Sequence, residues 1–378
     1  MMKVFDRYLL KNLVIATLMT AVTLAVIIFL TQSLRFLELV IDSGASSTMF
    51  WILTMLALPR FFEIILPIAL MAAVIFVYNK MVMDSELIIM RSSGSAPLAL
   101  ARPAIMLSVA VAILLWVMTA WLAPLSLANM QHLRQVVKAQ YSSFLFQEGV
   151  FNDVIPGLTV FVREKADQGE LHGLMIHDKR EADKEPVTVL AESGVIISTD
   201  EGQKVVVFDG SRQDLNDHNG VLNRLDFERY TIDLPDGTTA VRQRWKEPDE
   251  RTLWELFNPD KENARDLENK REFMVEIHRR LVSPLLAVVF TVTALSTMLL
   301  GAVERRGQGW RVTTAIAATV LIQTLYLAAF NAAGNSNWGL VLMYLFVFVP
   351  LAGGFFLLSR YGEEFRLKYI LGMKEAEA

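Results

Sequence analysis

Cysteine is absent from all 378 residues. That excludes a disulfide framework, thiolate metal sites and a nucleophilic cysteine. Histidine is scarce, with five in the chain. His172 and His177 are five residues apart in an alternating stretch, which turns them to opposite faces, so no metal site is expected. The familiar catalytic signatures are missing as well. There is no Gly-x-x-x-x-Gly-Lys-Ser/Thr phosphate loop, no Gly-x-Ser-x-Gly and no His-Glu-x-x-His. No nucleotide or other cofactor is expected on this chain, and an enzyme working by its own residues is poorly supported.

Charge is missing too, but only in places. Residues 12–34, 103–131, 281–303, 312–334 and 338–359 carry none. Each stretch is long enough, at about 20 residues, to cross a hydrocarbon core. A sixth span is hidden in residues 48–79, which Pro59, Arg60, Glu63 and Pro67 interrupt. The expectation there is an interfacial helix over 48–58 followed by a span over about 61–80. Arg60 and Glu63, at i and i+3, are placed to pair with each other or to sit at headgroup level.

The net charge of −4 hides an asymmetry. Residues 125–278 hold 29 acids and 19 bases, about −10, and the remainder 11 and 17, about +6. An acidic insert is attached to a basic membrane part, and nucleic acid is not its partner. Counting Lys and Arg in the short connections puts both termini and the 80–102 loop on the cytoplasmic side. Arg279 and Arg280 break that rule by falling at the outer end of the fourth span. An anionic headgroup nearby or interfacial snorkelling would each explain them.

The insert reads as β structure. Leu158, Val160 and Val162 alternate with Thr159, Phe161 and Arg163. Further strands are expected over 171–177, 186–199, 204–209 and 221–234. Turn signals stand at Pro156-Gly157, Asp200-Glu201-Gly202, Asn219-Gly220 and Asp236-Gly237. An antiparallel sandwich or jelly roll is expected. The apolar phase flips between Phe227 and Tyr230, which points to a bulge near Arg229. Helix frames the insert. Residues 125–147 continue the third span, Thr252 and Glu255 have capping-box spacing, and a helix over about 261–280 leads back to the membrane.

The loop between spans two and three reads as a short helix over about 83–94. Asp84 and Ser85 are N-cap types, and Glu86 stands in the first turn, where the helix dipole favours an acid. Leu87, Met90 and Arg91 share a face, and Gly94 is a C′ stop with Pro97 beyond it. Such a helix either docks on a cytoplasmic partner or merely turns the chain.

Taken in order, these features resemble the LptF/LptG family of lipopolysaccharide export permeases, more the LptF subunit. The resemblance spans nearly the whole chain. It is carried by Asp6-Arg7-Tyr8-Leu9, Ile65-Leu66-Pro67 and Ser85-Glu86-Leu87 through Gly94. Pro156-Gly157-Leu158-Thr159-Val160 and Arg251-Thr252-Leu253-Trp254-Glu255-Leu256 complete it. The resemblance implies six transmembrane helices in the bacterial inner membrane and a periplasmic jelly-roll-like insert. The divisions are 1–124, 125–278 and 279–378. It implies an LptB-like ATPase dimer that binds the ATP, an LptG-like second permease, and an LptC-like protein receiving lipopolysaccharide. Asp84, Glu86, Leu87, Met90, Arg91 and Gly94 would form the ATPase-coupling helix. Arg35 matches a cationic position that contacts lipid phosphates, although family members can carry more cations at the end of span one. Arg60, Arg279 and Arg280 join it on charge grounds alone. Val160 and Phe161 are candidates for an acyl-chain path. A scaffold presenting a β domain, and a lipid-modifying enzyme using Arg60 and Glu63, are the competing classes.

Overall fold

The structure is a computed structural model that describes residues 4–43, 46–141, 148–155, 157–166, 170–180, 186–199, 202–215, 222–233, 244–299, 309–359 and 361–362. The helices are α1 (Val4–Ser43), α2 (Ser47–Met83), α3 (Glu86–Ser92), α4 (Pro97–Val117) and α5 (Ala123–Tyr141). After the strands come α6 (Leu253–Phe257), α7 (Ala264–Glu268), α8 (Lys270–Val282), α9 (Leu286–Leu299), α10 (Gly309–Ala333) and α11 (Asn337–Leu358). Six of the helical stretches are long and apolar enough to cross a membrane. The chain divides into two compact units. One comprises Met1–Ser33, Thr54–Asn129 and Lys246–Ala378, the other Leu34–Leu53 and Met130–Trp245.

In the first unit α9 is the core of the bundle. All its residues except Thr293 and Thr297 are buried, and a helix apolar all round belongs at the centre of its neighbours. Leu70, Val74 and Tyr78 from α2, Leu100 and Leu115 from α4, and Met343 and Val347 from α11 close around it. A side chain on Gly354 would meet Val292 Cγ1 at 2.4 Å, so α11 approaches α9 as closely as a bare backbone allows. By contrast α1 leaves Leu18, Met19, Val22 and Ile27 more than half exposed.

Two helical expectations are corrected. Residues 48–58 do not form a separate interfacial helix, because α2 runs unbroken from Ser47 to Met83 through Pro59 and Pro67. Proline is tolerated inside membrane helices where neighbouring groups satisfy the freed carbonyls. The return helix is also not continuous over 261–280; it is split into α7 and α8 at Asn269. Between α4 and α5 the helix widens into a π turn, Met118–Leu122, where Thr119 Oγ1 donates to the Leu115 carbonyl at 2.9 Å.

The second unit carries six antiparallel strands: β1 (Phe151–Ile155), β2 (Leu158–Lys165), β3 (Glu170–Asp178), β4 (Val187–Thr199), β5 (Gly202–Leu215) and β6 (Leu222–Asp233). Each pairs with its chain neighbour, giving one meander sheet. The antiparallel β insert is as expected, and β1 is a strand that the sequence reading did not separate. The described strands form a simpler order than a double Greek key. The turns at Asn219-Gly220 and Asp236-Gly237 lie outside the described residues, as do Pro156, Asp200 and Glu201.

The phase flip on β6 is real, but its cause is not a bulge at Arg229. The β5–β6 register is constant, with Phe208 opposite Arg229 and Gly210 opposite Phe227. The pairing instead lapses at one level from β2 to β6, at Arg163, Gly173, Glu192, Asp209 and Glu228. Gly173 and Asp209 there have φ of +63° and +50°. On either side of this crease the core-facing residues are three apart: Leu171 and Leu174, Ala191 and Gly194, Phe227 and Tyr230. A kink shared by neighbouring strands flips the pleat of all of them and leaves the register intact.

Candidate functional site

The geometry of α3 follows from its ends. Glu86 opens the helix, and Ser85 sits before it in the left-handed region at φ 62°, without a side-chain cap bond. The helix closes in a Schellman turn. Gly94, at φ +83°, donates to the Arg91 carbonyl at 2.9 Å, and Ser95 donates to Met90 at 3.3 Å. Only glycine takes that conformation without strain, so Gly94 has the role its position implied.

The face shared by Leu87, Met90 and Arg91 is turned towards the protein's own bundle. Leu87 is fully buried, Met90 packs against the core, and the Arg91 guanidinium donates to the Leu299 carbonyl at the end of α9. With no basic residue in its last turn, α9 takes this cation from α3. The outward face carries Ile89, 65% exposed, with Ser92 and Ser93. Asp84 and Glu86 line a cleft of about 460 Å³ between α1 and α2, together with Tyr8, Asn12 and Lys80. The tilt is fixed from behind, where the buried Tyr78 hydroxyl donates to the Leu100 carbonyl at 2.7 Å and ties α2 to α4.

At the opposite end of α2 the structure gathers a second set of charges. Arg60 and Glu63 do not pair with each other. Arg60 Nη1 donates to Asp249 Oδ2 at 2.7 Å. Glu63 Oε1 accepts from Arg279 Nη1 at 2.6 Å and from Ser283 Oγ at 2.9 Å. An i, i+3 pair along α2 loses to partners brought across the bundle. Arg279 also holds Glu276 through two nitrogens, at 2.7 and 2.8 Å. Arg280 is 2% exposed, bonded to Glu276 at 2.7 Å and to the carbonyls of Arg251, Pro248 and Asp249. Three arginines meet three carboxylates, so the network is neutral. Arg280 is an architectural cation with no face for a headgroup.

Beside this network a crevice of about 220 Å³ separates α2 from α10. Phe61, Ile64, Ile68, Phe290 and Leu327 give it apolar walls, and Glu63, Arg279, Ser283 and Gln323 a polar edge. The Tyr326 hydroxyl lines it, buried and without a hydrogen-bond partner among the described residues. The signal for these contacts is carried by residues far apart in the chain, and periodicity does not report them.

The remaining sequence candidates fall in the second unit. Arg35 is exposed on α1. Val160 and Phe161 point to opposite faces of the sheet. Val160, 1% exposed, belongs to the packed face with Leu158 and Val162. Phe161 packs against Phe151 with ring centroids 5.1 Å apart and planes tilted by 42°, and lines an open groove of about 760 Å³ along the crease. The two therefore cannot lie on one path along one face.

Together the six long apolar helices and the inserted antiparallel sheet define a multi-pass membrane protein with a β domain set between two of its spans. The chain matches the family described as lipopolysaccharide export system permease LptF/LptG over residues 7–361. It belongs to that family. It is also 27% identical over 360 residues to an uncharacterized protein of Rickettsia prowazekii (strain Madrid E), covering 94% of this chain and 99% of that protein.

Proposed function

We propose that this chain is the LptF-type permease subunit of an ABC transporter that extracts lipopolysaccharide from the inner membrane and hands it to a periplasmic bridge. The observation that carries this reading is the family match over residues 7–361, joined to a helix seated on the bundle between spans two and three. In this reading both termini and α3 are cytoplasmic. Residues 1–124 and 279–378 form the membrane part and 125–278 the periplasmic part. An LptB-like ATPase dimer binds ATP and engages α3, an LptG-like permease completes the cavity, and an LptC-like protein receives the lipid.

The orientation of α3 divides its residues into two roles. Asp84, Glu86 and Ile89 are accessible for the ATPase to meet. Leu87, Met90 and Arg91 carry the displacement into α9, and Gly94 ends the helix so that it pivots as a unit. Lipid phosphates are met by Arg35 and Arg60, because Arg279 and Arg280 are engaged by internal partners. Acyl chains are passed along the Val160 face of the sheet, with Phe161 on the opposite side.

Mild-detergent purification of the tagged chain tests this. It should bring a small cytosolic ATPase and a second six-span permease, and Glu86→Ala should weaken the ATPase association while leaving membrane insertion intact. Recovery of the chain alone, or with periplasmic proteins only, would refute the transporter reading in favour of a scaffold.

A further inference from the structure

Of the three arginines at the outer end of α2 and α8, two are fully engaged from inside. Arg280 donates to Glu276 and three carbonyls, and Arg279 is held by both Glu276 and Glu63. Arg60 differs. Its side chain is 51% exposed and its contact with Asp249 runs through a single nitrogen, which leaves most of the guanidinium fork to face outward. It also stands at the edge of the crevice between α2 and α10.

Asp249 is an uneasy partner. Its Oδ2 accepts from Arg60, while its Oδ1 is buried with no hydrogen-bond partner among the described residues. Carboxylate oxygens of Glu247, Asp249 and Glu250 lie within 4.8 Å of one another. Asp249 therefore faces two acidic neighbours as well as one cation. Its backbone is nevertheless fixed, because the Asp249 carbonyl is held by Arg280 at 3.2 Å. The carboxylate is thus presented to Arg60 by an anchored turn, with half of its hydrogen-bonding capacity unused.

We propose that Asp249 is an internal stand-in for the lipid's anion, occupying Arg60 until a phosphate displaces it. The inference rests on the lipopolysaccharide reading and adds a residue that sets its selectivity. A phosphate offers three oxygens to the guanidinium fork and accepts two parallel bonds, where Asp249 accepts one. A neutral or singly charged headgroup gains too little to compete, so Asp249 acts as a threshold that favours phosphorylated lipid. It touches the ligand's site without binding the ligand, and its role is to position and release Arg60.

The consequence is a gain of binding on removing an acid. Purified complexes carrying wild type, Asp249→Asn or Arg60→Gln would be titrated in detergent with diphosphorylated lipid A and with the same lipid after phosphate removal. Asp249→Asn should tighten binding of the phosphorylated form about two- to five-fold, the range for an exposed ion pair, and leave the dephosphorylated form unchanged. Arg60→Gln should weaken the preference for phosphate, leaving only what Arg35 supplies. Tighter binding is not produced by a misfolded protein. Should Asp249→Asn fail to assemble, Arg60→Gln alone decides, and a phosphate preference undiminished from wild type overturns the inference. Equal affinities of wild type and Asp249→Asn for the phosphorylated lipid overturn the inference while the export reading stands. Wild type that binds neither lipid overturns both.

Discussion

Arg280 is the largest fully buried side chain among the described residues. Truncating it should be among the most damaging single changes outside the apolar core. Arg280→Ala leaves Glu276, itself 7% exposed, with one arginine in place of two. It also strips the Arg251, Pro248 and Asp249 carbonyls of their donor. Breaking a buried pair by removing one partner costs about 3–5 kcal/mol, because the survivor is left desolvated. Arg280→Lys keeps the charge but not the fork and reaches fewer of the four acceptors, so it should recover only part of the loss. Arg279→Ala provides the comparison, because Arg279 is 23% exposed and water can reach its site. Thermal unfolding of the detergent-solubilised protein, followed by size-exclusion fluorescence, should rank Arg280→Ala below Arg280→Lys and below Arg279→Ala. Arg280→Ala as stable as wild type would refute the architectural role.

Three further outcomes follow from the second unit and its return segment. Arg180 donates to the Asp178 carboxylate at 2.6 and 2.9 Å and holds its pKa below the ordinary 3.8. A depressed carboxylate stabilises the fold above the unfolded pKa and loses that contribution as pH falls through the folded one. Asp178→Asn should therefore cost a few tenths to about 1 kcal/mol at pH 7, and a pH series of unfolding should show the difference begin to shrink near pH 3.8 and fade at lower pH. Gly210→Ala would set a Cβ 2.2 Å from the Leu190 carbonyl oxygen, against backbone that cannot yield. It should destabilise the sheet by about 1–3 kcal/mol, read as loss of protease resistance in the insert. Thr252 Oγ1 caps Glu255 and the Glu255 carboxylate returns to Thr252, so Thr252→Ala should cost about 1 kcal/mol, and Thr252→Ser should cost far less.

What the sequence disclosed was local. Charge-free runs located the spans, because charge inside a bilayer is costly wherever it lies in the chain. Alternation located β4 within a residue, with 186–199 expected and Val187–Thr199 found, but it cut β5 short, with 204–209 expected and Gly202–Leu215 found. The Thr252–Glu255 box and the Gly94 stop were legible because their partners are three or four residues away. What was not legible depended on distant partners. Glu63 meets Arg279 across 216 positions and Arg60 meets Asp249 across 189, so neither contact leaves a spacing signal. Arg279 and Arg280 stood out as cations against the charge rule, and the reason was internal: Glu276 and carbonyls of the 248–251 segment take them up. The crease escaped because five strands, β2 to β6, share it, while a single strand shows only a phase change. The face of α3 was recognised correctly, but spacing does not say whether an apolar face looks outward to a partner or inward to α9.

The central claim is that this chain is one membrane subunit of a lipopolysaccharide exporter. Its most direct test is release of lipopolysaccharide from proteoliposomes holding the co-purified complex, with a soluble acceptor outside. ATP-dependent release that is lost when the chain carries Glu86→Ala is the predicted result. Release that proceeds equally without ATP, or an assembled complex that hydrolyses ATP and releases no lipopolysaccharide, would contradict it.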